Sequence, residues 1–160
     1  MNANQKQHIT FGVFIPQGWK LELATIPDPV AKWNKAVEVA QLAEKLGYDS
    51  IWVYDHFHNV PRPAHEAVFE CWTVIAAISQ RTTKIRLGQM VGCNLYREPS
   101  LLAKITSTID VISGGRLDWG IGAGKGEQTT KAARHQGIAG AIRPETCRLP
   151  LCLCVFVSWW

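Results

Sequence analysis

Asp55 and His56 are the residues of this sequence whose types and position best fit catalysis. They follow the run Ile51-Trp52-Val53-Tyr54, which is uncharged and typical of a strand covered on both faces. In α/β proteins, reactive residues collect at the carboxyl ends of parallel strands because the loops there are free to vary. An imidazole titrates near neutral pH and therefore suits proton transfer. The alternative is that Asp55 caps the next element and His56 is merely exposed.

Two glycine-containing segments follow later predicted strands. The segment Gly120-Ile121-Gly122-Ala123-Gly124 would let backbone N–H groups approach a phosphate, as in dinucleotide sites. It lacks the full GxGxxG spacing with a clear helix and a later acid, so a tight strand-to-loop turn explains it about equally well. In residues 88–93, glycine at a strand end indicates a bulge or the close approach of another group.

The histidines and cysteines do not form a metal-binding pattern. His58 could assist His56, but a metal pair would need a third ligand that the sequence does not show. The 5 cysteines include no CxxC motif, and Cys152 and Cys154 are too close together and lack partner ligands. Their odd number indicates reduced thiols in a cytoplasmic protein rather than a disulfide framework. The sequence therefore predicts no metal site.

The composition excludes several classes of protein. The chain has 160 residues, 47% of them hydrophobic and 19% charged, which is enough for one domain with a real core. The formal net charge is +4, and the lysines and arginines are spread along the chain without a dense basic block. No nucleic-acid surface is therefore indicated. The sequence has no apolar run of about 18 residues, and its polar first ten residues lack the centre of a signal peptide. We therefore expect no membrane span.

Strands and helices are predicted to alternate. Asp28 can cap a helix that begins with Pro29 and stops at Gly47. Glu98-Pro99 opens another helix, which closes at Ser113-Gly114-Gly115. The predicted strands cover residues 11–15, 51–54, 85–91 and 116–121, and the predicted helices cover about 29–46, 66–79 and 99–113. Strands that recur at this spacing form βαβ units, so the sequence predicts a parallel sheet. The periodicity leaves open whether the sheet is open or closes as a barrel.

The residues after Gly126 differ in character from those before them. Residues 126–141 show no clean period, and residues 149–160 are apolar and uncharged. An exposed apolar, β-prone terminus favours aggregation. No turn or helix places the segment in the repeat, so we interpret residues 127–160 as foreign to the preceding domain and as a frameshifted or truncated end.

Several of these segments, taken in order, resemble a known family. The segments are Phe11-Gly12-Val13-Phe14-Ile15-Pro16-Gln17, residues 47–57, Ile85-Arg86-Leu87-Gly88, residues 96–104, residues 109–116 and residues 120–124. Together they resemble the N-terminal half of the luciferase-like monooxygenases, most nearly the coenzyme F420-dependent oxidoreductases. The resemblance covers about residues 9–126, and it implies a domain of residues 1–126 followed by the unmatched tail 127–160.

The family fold is the α/β (β/α)8 TIM barrel. The resemblance implies that this chain forms the first half of such a barrel, with about four parallel strands, three helices and an irregular tail. Because members are about twice as long, strands five to eight are missing. The first and fourth strands would then be open edges, which predicts poor solubility or association, including a possible homodimer.

The family binds F420 or FMN at the carboxyl ends of the strands, and the resemblance carries over several site residues. His56, with Asp55, matches the pair near the deazaflavin reaction centre and is expected to act as acid or base in hydride transfer with a small organic substrate. Gln89 and Met90 fall near a non-proline cis peptide behind the cofactor. Gly122, Ala123 and Gly124 match the glycine-containing cofactor loop. F420 is favoured over FMN because of Asp55, His56 and residues 88–94.

Two positions depart from the family. Lys125 stands where tryptophan or glutamate is common, and Val60 stands near an aromatic lid residue of members that oxidise sugar phosphates. A second function remains open, in which the chain is an inactive half-barrel that at most associates with another subunit.

Overall fold

Four parallel strands and three helices alternate along the chain. The computed structural model describes residues 9–62, 64–122 and 155–157. The strands are β1 (Gly12–Phe14), β2 (Ser50–Val53), β3 (Arg86–Cys93) and β4 (Leu117–Gly122), and the helices are α1 (Pro29–Lys45), α2 (Cys71–Ser79) and α3 (Pro99–Ser113). Each strand pairs with the next one in parallel register. The predicted alternation and the predicted parallel sheet are therefore confirmed.

The ends of α1 and α3 lie where the sequence predicts them. The Asp28 carboxylate accepts a hydrogen bond of 2.7 Å from the N–H of Ala31, and Pro29 occupies the first turn. In α3, Glu98 caps the first turn, and Gly114 ends the helix with a φ of 70°, a left-handed conformation that suits glycine.

Helix α2 begins at Cys71 rather than at about Glu66, so the predicted start was wrong. The Glu70 carboxylate accepts from the N–H of Thr73 at 2.8 Å and fixes the first turn there. The preceding residues are not helical, and the N–H of Phe69 donates to the carbonyl of Gln17 at 3.0 Å. This contact with another loop takes the N–H group that a longer helix would use.

One face of the sheet is covered by all three helices. A single apolar cluster joins Ile51, Val53 and Leu87 of the strands to helical residues such as Ala40 and Ile78. Connections between neighbouring parallel strands are right-handed, which places successive helices on the same side. The carboxyl ends of the four strands therefore meet at one edge, where the loops after β1, β2 and β3 lie together.

The opposite face carries the indole of Trp52. Its Nε1 donates to the hydroxyl of Ser50 at 2.9 Å, and its ring lies across the neighbouring strands. A Cβ atom at Gly12 would come within 2.5 Å of this ring, and one at Gly88 within 2.1 Å. The indole is thus the close neighbour that glycine at position 88 predicts.

The tail contributes a fifth strand, β5 (Val155–Val157), which pairs antiparallel to β4. Because β5 is antiparallel, it is not part of the parallel repeat. Its presence shows that the tail is not wholly irregular, contrary to the expectation from the sequence. It also covers β4, which was expected to be an open edge, because an apolar segment can satisfy the unpaired groups of an edge strand. The other residues of the tail lie outside the described residues. None of the described helices is long and apolar enough to cross a membrane.

Candidate active site

Four aromatic rings line the edge formed by the ends of β1 and β2. Phe14 stacks on Tyr54 with ring centroids 4.2 Å apart and planes 3° from parallel. Trp19 stacks on His56 at 4.1 Å and 8°, and it contacts Tyr54 at 4.3 Å with a tilt. Because Phe14 and Tyr54 are only partly covered, the edge presents a flat apolar wall that continues to the imidazole.

The buried amide of Gln17 holds three segments together at this edge. Its Nε2 donates to the carbonyls of Tyr54 and Phe69 at 2.8 and 2.6 Å, and its Oε1 accepts from the N–H of Tyr54 at 2.9 Å. These bonds satisfy an amide that is 1% exposed. They fix the loop after β1 against the end of β2 and the approach to α2.

The loop after β1 also closes around a carboxylate. Glu22 accepts from the N–H groups of Gln17, Gly18 and Lys20 at 2.7–2.9 Å. Burial and the negative charge of Glu22 raise the pKa of the Tyr54 phenol, which therefore stays protonated. The hydrogen bonds to Glu22 fix the conformation of the loop from which Trp19 stacks on His56.

Asp55 is buried and fully engaged in hydrogen bonds. Its carboxylate accepts from Arg97 Nη1 at 2.7 Å and Nη2 at 3.0 Å, and from the N–H of Cys93 at 2.9 Å. The thiol of Cys71 adds a contact of 3.3 Å. Both carboxylate oxygens of Asp55 are thus bonded to other residues of the chain.

His56 differs from its neighbour in how its side chain is held, because its imidazole stacks on the indole of Trp19. It is half-buried, and no hydrogen bond joins its ring to another residue in the described part of the chain. Burial lowers the pKa of His56, and the charge of Asp55 only partly opposes that effect. The imidazole is therefore neutral at neutral pH and can accept a proton.

The end of β3 contains the irregularity expected near Gln89 and Met90. The Met90–Val91 peptide bond is cis, and the register with β4 shifts between Gln89 and Gly92. The Gln89 side chain has no exposed surface, whereas Met90 is half-buried. Residue 89 as a whole is thus covered in this structure, and neither polar atom of its side-chain amide has a hydrogen-bond partner among the described residues.

Gly122 ends β4 beside this bulge. A Cβ atom at Gly122 would lie 2.8 Å from Cγ2 of Val91, so the approach of the two strands requires glycine. The carbonyl of Gly122 accepts from the N–H of Asn94 at 3.2 Å. Ala123 and Gly124, the other two predicted cofactor residues, lie outside the described residues.

The strand ends bring most of the described candidates to one edge. Asp55 accepts a hydrogen bond from the N–H of Cys93, the last residue of β3. The next residue, Asn94, donates its N–H to the carbonyl of Gly122 at the end of β4. The sequence assigned no role to Gln17, Trp19 or Arg97. Their positions just after β1 and β3 were a usable signal, because the carboxyl ends of parallel strands meet.

One set of metal-type ligands occurs among the described residues, namely Asp55, Glu70 and Cys71. The guanidinium of Arg97 already contacts all three. Burial, with the charges of Asp55 and Glu70, raises the pKa of the Cys71 thiol. The set is therefore an ion-paired cluster around an arginine with a protonated thiol.

Four parallel strands that alternate with three helices are the architecture of part of an α/β barrel. The comparison with known sequences gives the family. The profile of the luciferase-like monooxygenases matches residues 9–139, and the chain belongs to that family. The fold and family expected from the sequence are thus confirmed.

The chain is similar to proteins with different named activities. It is 35% identical over 92 residues to an F420-dependent glucose-6-phosphate dehydrogenase of Amycolatopsis mediterranei, covering 56% of this chain and 27% of that protein. It is 33% identical over 123 residues to a 5,10-methylenetetrahydromethanopterin reductase of Methanolobus tindarius, covering 76% and 30%. The oxygenating constituent of 3,6-diketocamphane monooxygenase from Pseudomonas putida, solved with FMN, superposes with a TM-score of 0.63 at 20% identity, covering 79% and 32%. The chain thus spans about a third of the length of these proteins.

Proposed function

We propose that this chain supplies the first strand-end loops of an F420-dependent oxidoreductase, in which His56 exchanges a proton with a small organic substrate. The observation that carries the proposal is the imidazole of His56, which is neutral, half-buried and without a hydrogen-bond partner among the described residues. A group of this kind at a strand end suits general acid–base catalysis. The F420-dependent relative from Amycolatopsis supports the same assignment.

The residues at the edge fit a flat, aromatic cofactor. The rings of Phe14 and Tyr54 form a flat apolar wall, and the bulge of β3 and Gly122 lie at the carboxyl ends of the next two strands. Coenzyme F420, when bound, accepts or donates a hydride. The protein's part is to exclude water with the aromatic wall and to hold the substrate hydroxyl or enol near His56.

The proposed proton transfer follows from the state of His56. In the oxidising direction, its neutral imidazole accepts the proton that a substrate hydroxyl loses as the alcohol becomes a carbonyl compound. In the reverse direction, the imidazolium returns that proton. Asp55, held by Arg97, fixes the backbone next to the imidazole and does not itself exchange a proton.

We propose F420 rather than FMN as the cofactor. A histidine that accepts and returns a proton suits hydride transfer to or from an alcohol or enol. That reaction does not involve oxygen. The FMN-containing structure is 20% identical to this chain, which supports the shared fold alone.

The test is a parallel titration of the chain with F420 and FMN, followed by absorbance and fluorescence. We expect F420 to bind more tightly than FMN, and His56→Ala to retain binding but to lose any turnover with simple alcohols or glucose 6-phosphate. His65→Ala is the matched control, because His65 is an exposed histidine nine residues away. Tighter binding of FMN would contradict the choice of F420 and support FMN as the cofactor. If neither cofactor binds at millimolar concentration, the proposed function is refuted and the chain is an inactive half-barrel.

A further inference from the structure

Arg97 joins two loops at the edge of the sheet, the one after β3 and both ends of the one between β2 and α2. It lies between β3 and α3, yet its guanidinium forms a double hydrogen bond with Asp55, which follows β2. It also donates to Glu70, the capping residue of α2. The rings of Phe57 and Trp72 lie 5.8 and 6.0 Å from its central carbon.

These contacts enclose the guanidinium almost completely. The side chain of Arg97 is 9% exposed and that of Asp55 is 1% exposed. A carboxylate buried to this degree requires a partner, because an unpaired buried charge strongly destabilises the folded state. The N–H of Cys93 supplies one hydrogen bond, but Arg97 supplies the opposite charge.

Asp55 is the neighbour of His56 in the chain. Its negative charge favours a protonated imidazole, while burial of the ring favours the neutral form. The guanidinium that holds Asp55 therefore limits how strongly the carboxylate acts on the ring. The same double hydrogen bond fixes the backbone from which His56 reaches Trp19.

We propose that Arg97 is a positioning residue that holds the Asp55 carboxylate, keeps the His56 ring stacked on Trp19, and weakens the action of the Asp55 charge on that ring. The significance of this role for catalysis rests on the proposed function of His56. The contacts themselves do not require a cofactor.

The charged and titratable groups around His56 come from several elements. The loop after β1 contributes Lys20, whose Nζ lies 5.0 Å from the Trp19 ring, and Glu22. The end of β2 contributes Tyr54, Asp55 and His58. Behind Asp55 lie Glu70 of the α2 cap and Arg97. Among the described residues, Arg97 is the cation that contacts Asp55 directly.

The experiment is an NMR titration of the His56 ring protons in the chain without cofactor. In Arg97→Gln we expect the His56 pKa to rise, because Asp55 loses its opposing charge. In Asp55→Asn we expect it to fall. Arg86→Gln is the matched control, since it breaks another double Arg–carboxylate contact, with Asp118, at the amino ends of β3 and β4, and should leave the titration unchanged.

A folded Arg97→Gln variant with the wild-type His56 titration would overturn the proposal. If Arg97→Gln does not fold, Arg97→Lys decides the question, because lysine keeps the charge but not the double hydrogen bond. We expect this variant to reduce the ring-current displacement of the His56 signals by Trp19, while its retained charge leaves the His56 pKa close to that of the wild type. A folded lysine variant in which the ring-current displacement is unchanged would refute the positioning role of Arg97. Since no F420 is added, failure of the proposed function would leave these results unaffected.

Discussion

Gly88 shows how one missing side chain can set the packing of a strand. Because the Trp52 ring occupies the place of a Cβ atom at this position, Gly88→Ala forces the indole or the strand to move. We expect the free energy of unfolding to fall by about 1 to 3 kcal/mol, as for other overpacked sites. Denaturant unfolding followed by circular dichroism measures the loss.

The Trp52→Leu background provides the control for this prediction. A leucine does not reach across Gly88 as the indole does, so Gly88→Ala should cost less there than in the wild type. The double-mutant cycle isolates the coupling between the two positions. An equal cost in both backgrounds would show that the alanine acts through the backbone and not through the indole.

Gln17 is a second position where a single side chain is decisive. In Gln17→Glu, a carboxylate oxygen replaces the Nε2 that donates to the carbonyls of Tyr54 and Phe69. We expect a loss of about 3 kcal/mol or more in unfolding free energy, because acceptors would face each other in a buried site. Thermal and denaturant unfolding measure it.

Gln41→Glu is the matched control for Gln17→Glu. The Nε2 of Gln41 also donates to a backbone carbonyl, that of Arg81 at 3.1 Å, but at the surface. The replacement there should change stability by less than about 0.5 kcal/mol. Similar losses at both positions would contradict the proposed importance of the buried amide.

The strand-end location of Asp55 and His56 could be predicted, because an uncharged apolar run ending in polar residues is a local pattern. The partners of these residues could not be predicted in the same way. Gln17 bonds to residues 37 and 52 positions away, and Asp55 bonds to Arg97 across 42 positions. Such contacts depend on loop conformations that no single segment encodes.

Helix α1 and strand β3 are joined by a carboxylate at the other end of the sheet. Glu44 accepts from the consecutive N–H groups of Thr83, Lys84 and Ile85 at 2.6–2.9 Å. Burial alone would raise the pKa of Glu44, but these three donors and the charge of Arg116 outweigh it and hold the pKa below its ordinary value. The contact thus stabilises the ionised form and, with it, the folded chain.

The stability that Glu44 contributes should depend on pH. A carboxylate whose pKa is lowered by folding contributes its full stabilisation above its unfolded pKa, and loses it as the pH falls through the folded pKa. We therefore expect Glu44→Gln to reduce the unfolding free energy at pH 7 by about 0.5 to 1 kcal/mol, because glutamine keeps an acceptor oxygen and solvent screens the charge of this partly exposed contact. The difference from wild type should shrink as the pH falls below about 4.5, the ordinary value for glutamate.

Denaturant unfolding of both proteins between pH 3 and pH 7 tests this dependence. Glu38→Gln is the control on the same helix, because its carboxylate is 63% exposed and pairs with Lys35 at the surface. That variant should differ little from wild type at any of these pH values. A Glu44→Gln difference that does not vary with pH would contradict the proposed ionised contact.

The helices show which element boundaries local chemistry determines. The starts of α1 and α3 follow from an acid before a proline, and the end of α3 follows from Gly114. The sequence predicts that α2 starts at about residue 66, whereas the structure has its start at Cys71. Its location depends on Phe69 bonding to Gln17 in another loop, which a helical period cannot reveal.

At the scale of the molecule, the repeat of strand and helix was sufficient to predict a parallel sheet, whereas β5 was not predicted. A parallel βα repeat has a recognisable spacing, but the antiparallel pairing of Val155–Val157 with β4 joins segments distant in sequence. The same reasoning separates the two faces of the sheet. One face is covered by three helices, and the other carries the indole of Trp52.

The edge strand β1 leads to a prediction about association. Among the described strands, β1 pairs on one side with β2, and the apolar residues that lead into it, Ile9 and Phe11, are 72% and 62% exposed. Unpaired edge groups flanked by exposed apolar side chains favour pairing with another chain. We therefore expect the isolated chain to associate, as the sequence also predicts.

Size-exclusion chromatography with light scattering measures this association in the wild type and in the double variant Ile9→Lys and Phe11→Lys. The charges should shift the distribution towards monomer, because lysine beside an edge strand opposes its pairing. Val30→Lys is the control, since Val30 is 64% exposed on α1 and away from the edge. A cooperative, monomeric wild-type chain would refute the prediction. An equal effect of Val30→Lys would mean that general surface hydrophobicity, and not the β1 edge, drives association.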